Sequence, residues 1–163
     1  MKRAKKAKQP LQCMQDVFGL PRSRAPASPL EYRYHEVVDA RPLRPGEKVR
    51  LFALIRGSGI NRKDEHEERC AAAYVAAGIG LVDALPVLKE ELEKGIYSRH
   101  VEFTFRFAVG CLEAMQENGE VPSQGQQLIN LLRMRDSDEP AERRYADIVL
   151  RKADIKYGTV TSW

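Results

Sequence analysis

Alternation of apolar and polar positions is clearest in IYSRHVEFTFRFAV, where Val101, Phe103, Phe105 and Phe107 interleave with Glu102, Thr104 and Arg106. A period of two predicts a strand with one face on a core and the other in water, and so predicts that all three phenylalanines are buried. KVRLFALIR repeats the pattern: Val49, Leu51, Ala53 and Ile55 share one face, Arg50, Phe52, Leu54 and Arg56 the other, and Gly57-Ser58-Gly59 ends the strand. Upstream, EYRYHEVV from Glu31 to Val38 has the aromatic and β-branched character of a further strand, followed by a turn at Arg41-Pro42 and Arg44-Pro45-Gly46. The end of the chain, RRYADIVLRKADIKYGTVTSW, predicts two strands around a turn near Lys152 to Asp154.

Helical spacing marks three other stretches. DEHEERCAAAYVAAGIGLVDAL opens with Asp64, Glu65, Glu67 and Glu68, which complement a helix N-terminal dipole, and its alanines have high helix propensity. Cys70, Tyr74, Ala77 and Leu81 recur at three- and four-residue steps and make the expected buried stripe. PVLKEELEKG, with Pro86 in the first turn and Gly95 at the close, is a second helix. GQQLINLLRMR, with Leu128, Leu131, Leu132 and Met134 on one side, is a third, broken at Pro140. The order strand, strand, helix, helix, strand, helix, strand, strand predicts an α+β fold: one compact domain over residues 30–163, its mainly antiparallel sheet packed by two to four helices.

Composition adds an arm to this domain. The chain of 163 residues, 43% hydrophobic and 31% charged, holds one core of ordinary size and is short for two. Residues 1–29 mix lysine, arginine, proline, serine and alanine, which cannot bury enough apolar area to offset the entropy of ordering, so a disordered basic arm is expected there. Its charge is concentrated: the first 24 residues carry seven cations against Asp16 alone, a local +6, while the whole chain is +4 and the remainder therefore −2. Val17, Phe18 and Leu20 interrupt the arm as an apolar knot, read either as a docking segment for self-association or as a cluster in a linker. Cys13, Cys70 and Cys111 are widely spaced with no C-x-x-C, the usage of a reducing compartment. MKRAKKAKQPLQCMQDVFGLP lacks the apolar run of a signal peptide, and no segment approaches the length of a membrane span, so any membrane contact is expected to be peripheral.

Candidate chemistry is sparse. His35, His66 and His100 fall in three separate elements, and His66-Glu67 begins like a zinc-protease helix whose second histidine is replaced by Cys70. Gly57-Ser58-Gly59 lacks the P-loop spacing and its Gly-Lys-Ser/Thr ending, and is read as a turn. The phenylalanine ladder suits a base-stacking platform as well as a core, and the alternation with polar residues favours the core. Without a nucleophile, base and charge-stabilising group in one place, no enzyme, metal or cofactor is expected. The lysine-rich tip, with Lys2, Arg3, Lys5, Lys6 and Lys8, is read as an electrostatic anchor for an anionic membrane surface or a nucleic-acid backbone, with a solubilising or nuclear-import tail as the plain alternative.

Several of these stretches together resemble the rhabdovirus matrix proteins. MKRAKKAK is similar to that family's basic tails; KVRLFALIRGSG leading into an alanine-rich helix resembles its first strand and helix; KGIYSRHVEFTFRF resembles its long later strand; and DIVLRKADIKYGTVTSW resembles its closing strand pair. Pro29, Leu30, Glu31 and Tyr32 stand where the family carries a proline-rich late-budding motif ending in tyrosine, but Leu30 replaces the second of its adjacent prolines. The resemblance implies a structural protein of the virion interior, beneath the envelope, and of host cytoplasm, inner membrane faces and nucleus. It implies self-association, binding and condensation of the viral nucleocapsid, contact with the anionic inner leaflet and with a viral glycoprotein tail, and a role in budding.

Two other readings follow from the residues alone. One is a nucleic-acid-binding accessory protein with a cationic tail and a dimerising α+β domain. The other is an enzyme with an unfamiliar site around the helix that starts at Asp64.

Overall fold

Signals for starting and stopping a helix, rather than alternation, govern the first element. The structure, a computed structural model, describes residues 41–57 and 62–157. Pro45 and Glu47 occupy a first helical turn, Arg56 sits in the last, and Gly57 closes it at φ 70°, so KVRLFALIR is the body of helix α1 (Pro45–Arg56). Glu47, Leu51 and Ile55, four residues apart, point into the core with Leu43 ahead of them. The apolar run Leu51 to Ile55 satisfies a period of two and a period of 3.6 equally well, and its capped ends decide for the helix.

Five more helices follow: α2 (Arg62–Ile79), α3 (Leu85–Lys94), α4 (Arg99–Asn118), α5 (Gln127–Arg135) and α6 (Pro140–Lys152), with 3-10 turns at Val82–Ala84 and Gln124–Gln126. Helix accounts for 77% of the described residues and no strand occurs among them, which overturns the expected α+β sheet fold in favour of a helical domain. The strand expected over Glu31–Val38 and the boundary between residues 29 and 30 lie outside the described residues.

The long strand expected around the phenylalanine ladder is helix α4. Ser98 caps it, its hydroxyl accepting from Val101 N–H, and Gly119 closes it at φ 65°. Val101, Phe105, Ala108, Leu112 and Met115 recur at three- and four-residue steps and are buried. Phe105 is fully buried, whereas Phe103 is 48% exposed and Phe107 only partly covered, so the three rings do not share one core face as a strand would require. The closing strand pair is also corrected. Pro140 opens α6 in its first turn, and Ala146, Val149 and Leu150 pack on the core at helical spacing. The three helices read from the sequence are present as α2, α3 and α5.

Helix α2 is the axis of the domain. Every residue from Cys70 to Leu81 is buried, because α1, α4, α5 and α6 all pack against it. The expected stripe Cys70, Tyr74, Ala77 and Leu81 is buried, but so are the residues between, the pattern of a helix enclosed on all sides. Ala71, Ala72, Ala73, Ala76 and Ala77 keep its girth small enough for four neighbours to approach. Gly80 ends it at φ 75°, where an added Cβ would lie 2.4 Å from Pro122 Cδ, so this position takes glycine for both backbone and space.

Two polar contacts fasten the helices around this axis. Arg69 of α2 donates through Nε to Ile55 O at 2.9 Å and through NH2 to Glu91 Oε1 at 2.9 Å, while its guanidinium lies 5.1 Å over the Phe105 ring. One side chain thus ties α1, α2, α3 and α4 together. Across the domain the buried Tyr74 hydroxyl donates to Glu142 Oε1 at 3.2 Å, joining α2 to α6. Burial, reinforced by the Glu142 charge, raises the Tyr74 phenol well above its ordinary value, so the hydroxyl keeps its proton and donates it to Glu142.

Candidate functional site

Two surface regions gather polar side chains. The first is a cleft of about 510 Å³ where the N-terminal ends of α2, α4 and α6 meet. His66, Glu67 and Cys70 line it from α2, His100 from α4, and Ala141, Arg144 and Tyr145 from α6. Arg144 spans it, giving both Nε and NH2 to the Glu67 carboxylate, the latter at 2.9 Å. Burial raises the Cys70 thiol above its ordinary value, outweighing the opposing effects of Thr104 and Arg69. Burial also raises the Tyr145 phenol, with the nearby Cys70 and Glu67 adding to it. Both groups are therefore neutral near pH 7, and neither is an activated nucleophile. The sequence separates His66 from His100 by element, yet the fold brings them to one cleft. Among the described residues no group of three or more histidine, cysteine, aspartate and glutamate side chains is placed to hold a metal ion.

The second region is the outer surface of α1 with Arg41 ahead of it and residues 153–156 beside it. Residues 41–57 carry five cations, Arg41, Arg44, Lys48, Arg50 and Arg56, against Glu47 alone, whereas residues 62–157 carry fourteen cations against eighteen carboxylates, a net of −4. Net positive charge on the described fold is therefore concentrated in residues 41–57, with Arg41 and Arg44 ahead of α1 and Lys48, Arg50 and Arg56 within it. Arg41 is pinned: its guanidinium meets both Glu47 oxygens at 2.7 and 3.0 Å and also the Lys156 carbonyl. Leu43 N–H donates to Gln127 Oε1 at 3.0 Å, holding the same segment to α5. Glu47 also accepts from the Arg44 backbone N–H at 2.8 Å. Burial alone raises the Glu47 carboxyl, but the hydrogen bonds from Arg41 and Arg44 and the Arg41 charge prevail and hold it below its ordinary 4.5.

Arg50 turns its guanidinium to the Ala153 and Asp154 carbonyls at the end of α6, where a cation also complements the helix dipole. Lys48 pairs with Asp83 at 2.9 Å. Arg44, Arg56 and Lys156 are exposed, and no carboxylate among the described residues pairs with them. Arg41, Lys48 and Arg50 are thus engaged at their charged tips, and Arg44, Arg56 and Lys156 are left open to solvent.

The residues singled out from sequence, Lys2, Arg3, Lys5, Lys6 and Lys8 of the tip, Val17, Phe18 and Leu20 of the knot, and Pro29, Leu30, Glu31 and Tyr32 of the late-motif-like segment, lie outside the described residues. What sequence reasoning missed is the basic character of α1, visible in a charge count restricted to residues 41–57. Among the described residues no helix is long and apolar enough to cross a membrane. Comparison with known proteins gives no match to a protein-family model, a curated protein or a solved structure.

Proposed function

We propose that this protein is a non-enzymatic nucleic-acid-binding assembly protein, in which a cationic N-terminal segment and the basic face of α1 form one tract along a phosphate backbone. The observation that carries this reading is the placement of Arg44 and Arg56, open to solvent, at the two ends of the same short helix, Arg44 as its N-cap and Arg56 in its last turn. Cations arrayed in this way neutralise successive phosphates and release condensed counterions, which gives affinity without sequence readout. The matrix-protein resemblance is not the basis of this proposal, because the stretches that carried it within the fold are helices α1, α4 and α6.

The test is binding of the full chain to a labelled single-stranded RNA, a duplex DNA and phosphatidylserine vesicles, each across a salt series. The reading expects affinity for nucleic acid that falls steeply with salt and is weakened both by Arg44→Gln with Arg56→Gln and by glutamine at Lys2, Arg3, Lys5, Lys6 and Lys8. Binding to vesicles alone contradicts it and favours a peripheral membrane role. Nucleic-acid binding indifferent to the α1 pair confines the function to the N-terminal segment.

A further inference from the structure

We infer that the cleft between α2, α4 and α6 binds a nucleoside 5′-monophosphate, either free or as the terminal nucleotide of a single strand. The inference stands on the cleft and not on the basic surface of α1, and either can fail without the other. Polar groups from three helices line this space without a hydrogen-bond partner among the described residues: the His66 and His100 imidazoles, the Tyr145 hydroxyl and one terminal nitrogen of Arg144. Both histidines are exposed. Two of the groups are braced from behind. Glu67 takes Arg144 through Nε and NH2, which fixes the guanidinium and leaves NH1 unspent. The Tyr145 ring packs tilted against buried Tyr74, with centroids 5.2 Å apart.

The donor set selects the ligand. Glu67, the one carboxylate that lines the cleft, is neutralised by Arg144. The phenol keeps its proton because burial raises it, so it donates, as does the guanidinium, and an imidazole donates through at least one nitrogen. A space lined by unspent donors suits an anion, and the planar guanidinium suits phosphate oxygens. A terminal phosphate offers three such oxygens, more than a phosphodiester within a strand. Phosphate alone would leave most of the cleft empty. At about 510 Å³ it falls within the roughly 300–1,000 Å³ of cavities that hold a whole organic ligand among apolar walls and a few polar groups. The remaining walls are Pro140 and the flat rings of Tyr145 and the two histidines, surfaces on which a base stacks. Paired bases inside a duplex have no free face to offer, so the occupant is a free nucleotide or an unpaired strand end.

Isothermal titration calorimetry of the full chain reads the dissociation constants of adenosine 5′-monophosphate, adenosine and inorganic phosphate. The nucleotide is expected to bind at least about tenfold tighter than either half. Arg144→Gln weakens it by about tenfold or more, and Tyr145→Phe, which keeps the ring and removes the hydroxyl, by about threefold. Thermal midpoints stay at the parent value, because the Arg144 pair is exposed and the ring is retained. Arg44→Gln with Arg56→Gln leaves nucleotide affinity unchanged. Inorganic phosphate binding as tightly as the nucleotide, no saturation up to about 10 mM, or an Arg144→Gln affinity equal to the parent's overturns the inference. So does loss of nucleotide binding in the α1 variant, which would place the ligand on the basic surface. Displacement of the nucleotide by a 5′-phosphorylated oligonucleotide but not by its 5′-hydroxyl counterpart upholds the site and identifies a strand end as the source. Displacement by neither upholds it for the free nucleotide, and displacement by both alike overturns the role of the terminal phosphate.

Discussion

Replacing Arg69 with alanine removes, in one step, a hydrogen bond to the last turn of α1, an ion pair to α3 and a cation over the Phe105 ring of α4. The Arg69 and Glu91 side chains are only 13% and 9% exposed, so the carboxylate left behind is poorly hydrated. Breaking one side of such a pair costs about 3–5 kcal/mol. Lys94 still reaches Glu91 Oε2 at 3.3 Å and offsets part of the loss, which places the expected value near the lower end, about 3 kcal/mol. A domain of ordinary stability has roughly 5–15 kcal/mol to lose, so the variant folds with a much lower urea midpoint. Arg69→Ala with Glu91→Ala tests the pairing itself: with both charges gone the double variant loses less than the sum of the single losses, a positive coupling of about 1–3 kcal/mol. Urea unfolding followed by helical circular dichroism at constant m-value measures all three. An Arg69→Ala midpoint within error of the parent refutes the claim that this side chain fastens four helices.

Phe105→Ala is expected to cost about 3–5 kcal/mol and Phe103→Ala less than 1, a difference readable in thermal midpoints and opposite to the equal losses a strand would give. Gly80→Ala, which needs both a positive φ and space occupied by Pro122, is expected to lower stability by about 2 kcal/mol in the same melts. Because the Glu47 carboxyl is held below its ordinary 4.5 in the fold, its contribution is present above that value and is lost as pH falls through the lower folded value. Denaturant midpoints measured below pH 5 should therefore show a shallower acid decline in Glu47→Gln than in the parent.

Helices α2, α3 and α5 were legible because their signals agree: an acidic first turn, Pro86 near a start, Gly95 at an end, and apolar residues at three- and four-residue steps. Helices α1, α4 and α6 were not, and for one physical reason. Each contains a short dense apolar run, Leu51–Ile55, Phe103–Val109 and Ile148–Leu150, in which both periods fit, and β-branched and aromatic residues tilt the local preference towards strand. The resolving signals sat at the ends. Pro45 and Gly57, Ser98 and Gly119, and Pro140 delimit helices, and reading outward to them separates Phe105 from Phe103 by a helical turn rather than joining them by a pleat. Charge was hidden by averaging: the first 24 residues carry +6 and the remaining 139 sum to −2, a total that conceals five cations against Glu47 alone over residues 41–57.

The salt dependence of single-stranded RNA binding tests the central claim most directly, since each phosphate contact contributes about 0.7 to the slope of log K against log salt. Arg44→Gln with Arg56→Gln is expected to lower that slope by roughly 1.4 relative to the parent while leaving the thermal midpoint unchanged. Glutamine at the five cations between Lys2 and Lys8 should lower it further and independently. A parent whose affinity does not change with salt, or an α1 variant whose slope equals the parent's, would contradict a phosphate-binding tract that runs from the N-terminal segment onto the fold.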